Sequence, residues 1–168
     1  MLFRSDNGDL YRVVTTATTD GATASTTSNS ATLTVTDTTP PVSSGSITAT
    51  TTTGTSVSVD YTATDAANGV SSVTVYYSTA ANLSSPTSCG SATGLSGSSV
   101  SGTITCTIPA SDATYYVFTR ASDGTNTESA PSSADDSITR DATRPTASVA
   151  ATSVSAGSTV SVSITLDR

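Results

Sequence analysis

Tyr115-Tyr-Val-Phe-Thr-Arg-Ala-Ser-Asp-Gly124 is the stretch whose reading decides the fold class. Tyr115, Val117, Thr119 and Ala121 fall on one face of an alternating segment, and Asp123-Gly124 supplies the residue types that a tight turn takes. Period-two alternation is what a strand with one buried face requires, because successive side chains point to opposite faces. The same pattern stands near the start of the chain: Tyr11, Val13, Thr15 and Ala17, ahead of Asp20-Gly21. Tyr11 and Tyr115 are 104 positions apart, which points to a repeated unit.

Moving outward, two further landmarks recur. Asp37-Thr-Thr-Pro-Pro-Val42 and Asp141-Ala-Thr-Arg-Pro145 place an aspartate and a proline 104 residues apart. Proline removes a ladder donor and stiffens the chain, so both segments read as semi-rigid linkers. Gly157 to Asp167 restates Gly54 to Thr64 at an offset of 103, with the glycine and both valines in place. The chain therefore divides into 1–37, the back part of one unit; 38–141, a whole unit; and 142–168, the front part of a third.

Within 1–37, Tyr11 to Ala17 and the alternating Ala31, Leu33 and Val35 read as one hairpin, whose further partners would lie upstream of Met1. Within 38–141 the expected strands are marked by Ile47 and Ala49; by Val57, Val59, Tyr61 and Ala63; by Val73, Val75 and Tyr77; by Ile104, Cys106 and Ile108; by Tyr115 to Ala121; and by Ile138. A polar stretch, 79–101, forms a long connection with one short strand near Cys89. Short strands with turns every 8–12 residues predict an all-β sandwich.

Composition agrees. The chain has 168 residues, a net charge of −7, six arginines, and no lysine, histidine or tryptophan. Good helix formers are scarce and β-branched residues abound. An acidic surface disfavours nucleic acid as a partner. No apolar run is long enough for a transmembrane helix, so no membrane insertion is expected of this segment.

These residues resemble bacterial Ig-like and fibronectin type III-like tandem repeats of large surface proteins. The Asp-Thr-Thr-Pro-Pro-Val linker is similar to the joins of such arrays, and Tyr115-x-Val117-x-Thr119-x-Ala121 resembles their penultimate strand. The resemblance implies an Ig-like or fibronectin III-like sandwich and a corner tyrosine at Tyr115, its hydroxyl bonding back to the preceding turn. It implies a spacer or adhesive repeat of an exported, extracellular protein, with neighbouring repeats of the same polypeptide as partners. The antibody-type core tryptophan and the cysteine on the Tyr115 strand are missing.

Cys89 and Cys106 are the only cysteines. Cys106 shares parity with Ile104 and Ile108 and so faces the core. The pair reads as a disulfide or as two buried thiols; with no histidine present, two cysteines cannot complete a zinc site. Asp37, Asp65, Asp123 and Asn126 are candidate calcium ligands, since the entering linker and two turns share one end of such a sandwich and calcium takes oxygen donors. The competing reading is that Asp and Asn simply favour turns. Asp135-Asp136 reads as solvated charge.

Tyr76, Tyr116 and Phe118 have outward parity on neighbouring strands. An open face there would favour an accessory module that binds glycan or protein, attached to a secreted hydrolase or adhesin; a covered face would favour the spacer. Catalysis is not expected. Without histidine or lysine there is no Ser-His-Asp, Cys-His or Schiff-base chemistry, and no cofactor other than calcium is suggested.

Overall fold

The structure, a computed structural model, describes residues 6–146 and 156–157. The restated strand after Gly157 lies outside the described residues. The described chain is all-β, with no helix, in twelve strands.

The first unit holds β1 (Leu10–Tyr11), β2 (Val14–Thr19), β3 (Ala22–Thr27) and β4 (Ala31–Thr32). β1 pairs with β4, and β2 with β3, both antiparallel. Asp20 and Gly21 both have positive φ, at 49° and 80°, the two-residue hairpin geometry that Asp-Gly accepts. The expected hairpin is thus corrected. The partner of β2 is Ala22–Thr27, because this turn reverses the chain at once, and only Ala31–Thr32 of the Ala31–Val35 segment pairs. Every residue of these four strands is exposed.

The second unit is a sandwich. β5 (Val42–Ser46), β7 (Ser56–Thr64) and β10 (Ser99–Thr107) form one sheet in the order β10-β7-β5. β6 (Thr51–Thr52), β8 (Ser72–Ser78), β9 (Thr87–Thr93), β11 (Ala113–Ser122) and β12 (Asp136–Arg140) form the other, in the order β6-β12-β11-β8-β9. β7 alternates exposed and buried without a break. Its inward stripe, Val57, Val59, Tyr61 and Ala63, belongs to one core with Val73, Val75, Ile104, Ile108, Tyr115, Val117 and Ile138. The Tyr115 hydroxyl donates to the Ser111 carbonyl at 2.9 Å, returning to the turn before its strand.

The expected first strand at Ile47 and Ala49 is also corrected. β5 lies earlier, and residues 47–50 carry the chain across to the other sheet, where β6 runs parallel to β12. Gly45 permits this close path: a Cβ there would meet the Thr119 methyl at 3.0 Å.

Two seams close the sandwich, by different chemistry. At one, Cys89 of β9 and Cys106 of β10 form a disulfide that ties the two sheets at their edges. At the other, the outer edge of β5 faces the part of β11 that extends beyond β12. Both edges present N–H donors, which cannot pair with each other; carboxylates between them accept from both sides. Asp135 accepts from Gly45 N at 2.9 Å and from Thr119 N and Oγ1 at 2.8 and 2.9 Å. Glu128 accepts from Ser43 N and Ala121 N at 3.0 Å each. Asp136 accepts from Ile47 N at 2.8 Å. Asp135 and Asp136 are therefore not solvated charge. They are part-buried and satisfy an edge that would otherwise be open to a further strand.

Candidate cation site at the entering linker

Strand registers bring three aspartates to one end of the sandwich. Val42 pairs with Thr64, which sets the linker before β5 beside the turn after β7. Ser122 pairs with Ser72, so the turn after β11 lies beside the start of β8. Asp37 comes from the linker, Asp65 from the first turn and Asp123 from the second. One carboxylate oxygen of each lies within 4.8 Å of the others.

Their bonds leave a specific gap. Asp65 is 6 % exposed. Its Oδ1 accepts from Ala67 N at 2.7 Å and Asn68 N at 3.2 Å, while its Oδ2 is buried with no partner. Asp37 Oδ1 accepts from Thr39 N at 2.9 Å, and its Oδ2 is likewise buried without a partner. A buried, unpartnered carboxylate oxygen is costly, and two beside a third carboxylate more so, unless a cation stands among them. Turn propensity explains the Oδ1 bonds; it does not explain the orphaned Oδ2 atoms.

Asp123 is held differently. Its Oδ1 accepts from Thr125 N and Asn126 N at 2.6 and 2.5 Å, and its Oδ2 from Asn126 Nδ2 at 2.9 Å. The Asn126 backbone and side-chain bonds, with smaller ones from Thr125 and Asn68, lower its pKa. A lowered folded value stabilises the fold above the ordinary value of 3.8, and that contribution is lost as pH falls through the folded value.

Asn126 belongs to the cluster in another role than the one expected. Its Nδ2 also donates to the Asp37 carbonyl at 3.2 Å. With its amide nitrogen turned to the cluster, it ties the linker to the Asp123 turn rather than offering an oxygen ligand.

The donor set is all oxygen, which suits a hard cation. Oxygens on opposite sides of a calcium ion stand about 4.6–5.2 Å apart, so three within 4.8 Å fit one ion. A groove of about 280 Å³ adjoins the cluster, lined by Asn7 and Val35 of the first unit, Asp37 to Thr39 of the linker, and Ala67 and Asn68.

The expected aromatic face is not open. Tyr76 and Phe118 stack at 5.2 Å, but Phe118 is only 2 % exposed, and Tyr116 and Tyr76 are half-buried. The connection 79–86 returns onto this sheet: Ser78 Oγ donates to the Ser84 carbonyl at 2.8 Å, and Leu83 is buried. Leu83 and Ser85 adopt positive φ, 58° and 52°, to make that path. Arg120 stands 6.0 Å from the Tyr76 ring and donates to the Glu128 carbonyl. Parity places these rings outward, and Phe118 is nevertheless buried.

The opposite end is clamped as well. Asp112 accepts from Arg140, from Ala142 N at 3.0 Å and from the Thr143 hydroxyl, which fixes the start of the second linker.

Compared with known proteins, the chain matches no family model, no curated protein and no solved structure.

Proposed function

We propose that this chain is a non-catalytic spacer segment of an exported, repeat-built surface protein, in which a calcium ion fixes the joint between consecutive Ig-like units. The observation that carries the reading is the convergence of Asp37 with Asp65 and Asp123, two of them with orphaned buried oxygens. Because one ligand comes from the linker and two from the following unit, an ion there would bind the linker to the sandwich and stiffen the joint. The disulfide fits an oxidising compartment.

Repetition of local geometry supports an array. Thr39 N bonds to Asp37 Oδ1, and Thr143 N bonds to Asp141 Oδ1, the same turn 104 residues on. The Thr18–Thr23 pair of the first hairpin recurs as the Ser122–Thr127 bridge, again at 104. The reading as a glycan- or protein-binding module loses its main support with the burial of Phe118. Partners are then the neighbouring repeats. No described helix is long and apolar enough to cross a membrane.

Calcium is expected to raise the melting temperature. Saturation at about 100 times Kd contributes about 2.7 kcal/mol, or roughly 10 °C for a unit of this size. Asp65→Asn should remove the shift while the calcium-free protein still folds. No shift at millimolar calcium would sink the cation reading.

A further inference from the structure

Two asparagines of the chain are followed by glycine, Asn7-Gly8 and Asn68-Gly69. Both asparagines line the groove beside the cation cluster. An asparagine before glycine is chemically labile, because a glycine without Cβ lets its backbone nitrogen reach the asparagine Cγ. The fold holds the two pairs differently.

At Asn7 both reacting groups are engaged. Gly8 N donates to the Leu33 carbonyl at 2.9 Å, and Asn7 Oδ1 accepts from Val35 N at 2.9 Å. Asn68 is exposed, and among the described residues the Gly69 N–H has no hydrogen-bond partner. The turn requires this glycine: its φ is +75°, and a Cβ would meet the Gly97 carbonyl oxygen at 2.8 Å. It does not require the asparagine, since Asn68 takes no positive φ.

Asn68 also touches the cluster. Its backbone N donates to Asp65 Oδ1 at 3.2 Å, its side-chain amide bonds to the Asp123 carboxylate, and it shares the groove with Asp37. A carboxylate in place of that amide would face Asp123. The two like charges repel while the site is empty, and a cation between them removes the conflict. The orphaned Oδ2 atoms of Asp37 and Asp65, the latter residue only 6 % exposed, mark where that cation would stand.

We infer that Asn68-Gly69 is a self-modification site: Asn68 deamidates, and its new carboxylate joins Asp37, Asp65 and Asp123 as a fourth acidic group that tightens the joint as the protein ages. Gly69 N gives up its proton and bonds to Asn68 Cγ. The Cγ–Nδ2 bond breaks, and ammonia leaves with a proton. Water then opens the cyclic imide at either carbonyl, giving aspartate or isoaspartate; both add one negative charge at position 68. One water is consumed, one ammonia is released, and no oxidant or reductant is needed. The chemistry stands without the cation, whereas its consequence rests on the cation reading above.

Ageing the full chain in warm, mildly alkaline buffer tests it, followed by peptide mass mapping and calcium titration. Asn68 should gain one dalton well before Asn7, Asn29, Asn82 and Asn126. The aged chain and Asn68→Asp should bind calcium about tenfold more tightly than the fresh chain, since ligand charge tunes affinity at oxygen-donor sites. In chelator both should melt below the fresh chain. Asn68→Gln should keep its mass and the fresh affinity through the same treatment. An Asn68 that keeps its mass, or converts no faster than Asn7, overturns the inference and leaves the cation reading untouched. Conversion with calcium affinity unchanged also overturns it. A chain that binds no calcium whether fresh, aged or carrying Asn68→Asp overturns both.

Discussion

Asp135→Ala is expected to lower the stability of the sandwich by about 3–5 kcal/mol, the largest effect of any single polar substitution in it. Three donors lose their acceptor together: Gly45 N, Thr119 N and Thr119 Oγ1. Each orphaned donor costs about 1–3 kcal/mol when buried, and the part-buried position of Asp135 brings the sum below the upper limit. Thr119 and Gly45 are themselves buried, so water cannot fully replace the carboxylate. Asp135→Asn should recover most of the loss, because all three donors meet a single oxygen, Oδ2, whose place the amide oxygen can take, so that only the charge on the acceptor is lost. Urea unfolding of both variants, with the wild-type slope retained, measures this. An Asp135→Ala variant within 0.5 kcal/mol of wild type, roughly the range of ordinary surface substitutions, would remove the seam from the account.

Loss of the Cys89–Cys106 bridge is the second large effect. The sequence separation is 17; closing a loop of that size contributes about 3 kcal/mol in the chain-entropy model. The bond also does something the carboxylate seam cannot: it joins the edges of the two sheets covalently, where Gly90 lies too close to the Thr105 backbone to carry a side chain. A Cys89→Ala/Cys106→Ala protein should fold, melt more than 10 °C lower (roughly 4–8 °C per kcal/mol), and expose the β9–β10 seam first to hydrogen exchange. Mass spectrometry of the native protein should find the pair two daltons lighter than after reduction. Equal melting of the oxidised protein and the double variant would contradict the assigned role.

The two seams also show what a sequence can and cannot reveal. β7 was legible because its inward residues alternate with polar ones over its whole length, and the observed burial follows that alternation residue by residue. Cys106 was placed inward by the same parity. The convergence of Asp37, Asp65 and Asp123 was legible because linker and turns must meet where their strands end. Glu128, Asp135 and Asp136 gave no such sign. Their donors at Ser43, Gly45 and Ile47 lie 85 to 90 residues away in the sequence. A carboxylate that serves an edge looks, in a sequence, like any surface charge. Phe118 illustrates the same limit: parity tells which face a ring takes, and not whether that ring stays exposed. The first hairpin shows a third limit, since Asp20-Gly21 fixed an immediate reversal and so paired β2 with the threonine-rich segment directly after it rather than with Ala31 to Val35.

Calcium binding measured by titration calorimetry on the full chain, beside Asp65→Asn and Asp123→Asn, tests the junction site most directly. One ion bound per cluster by the wild type, with the heat abolished in both variants and the melting of calcium-free Asp65→Asn little changed, is the predicted result. No binding heat at millimolar calcium, or binding that survives both substitutions, would contradict it.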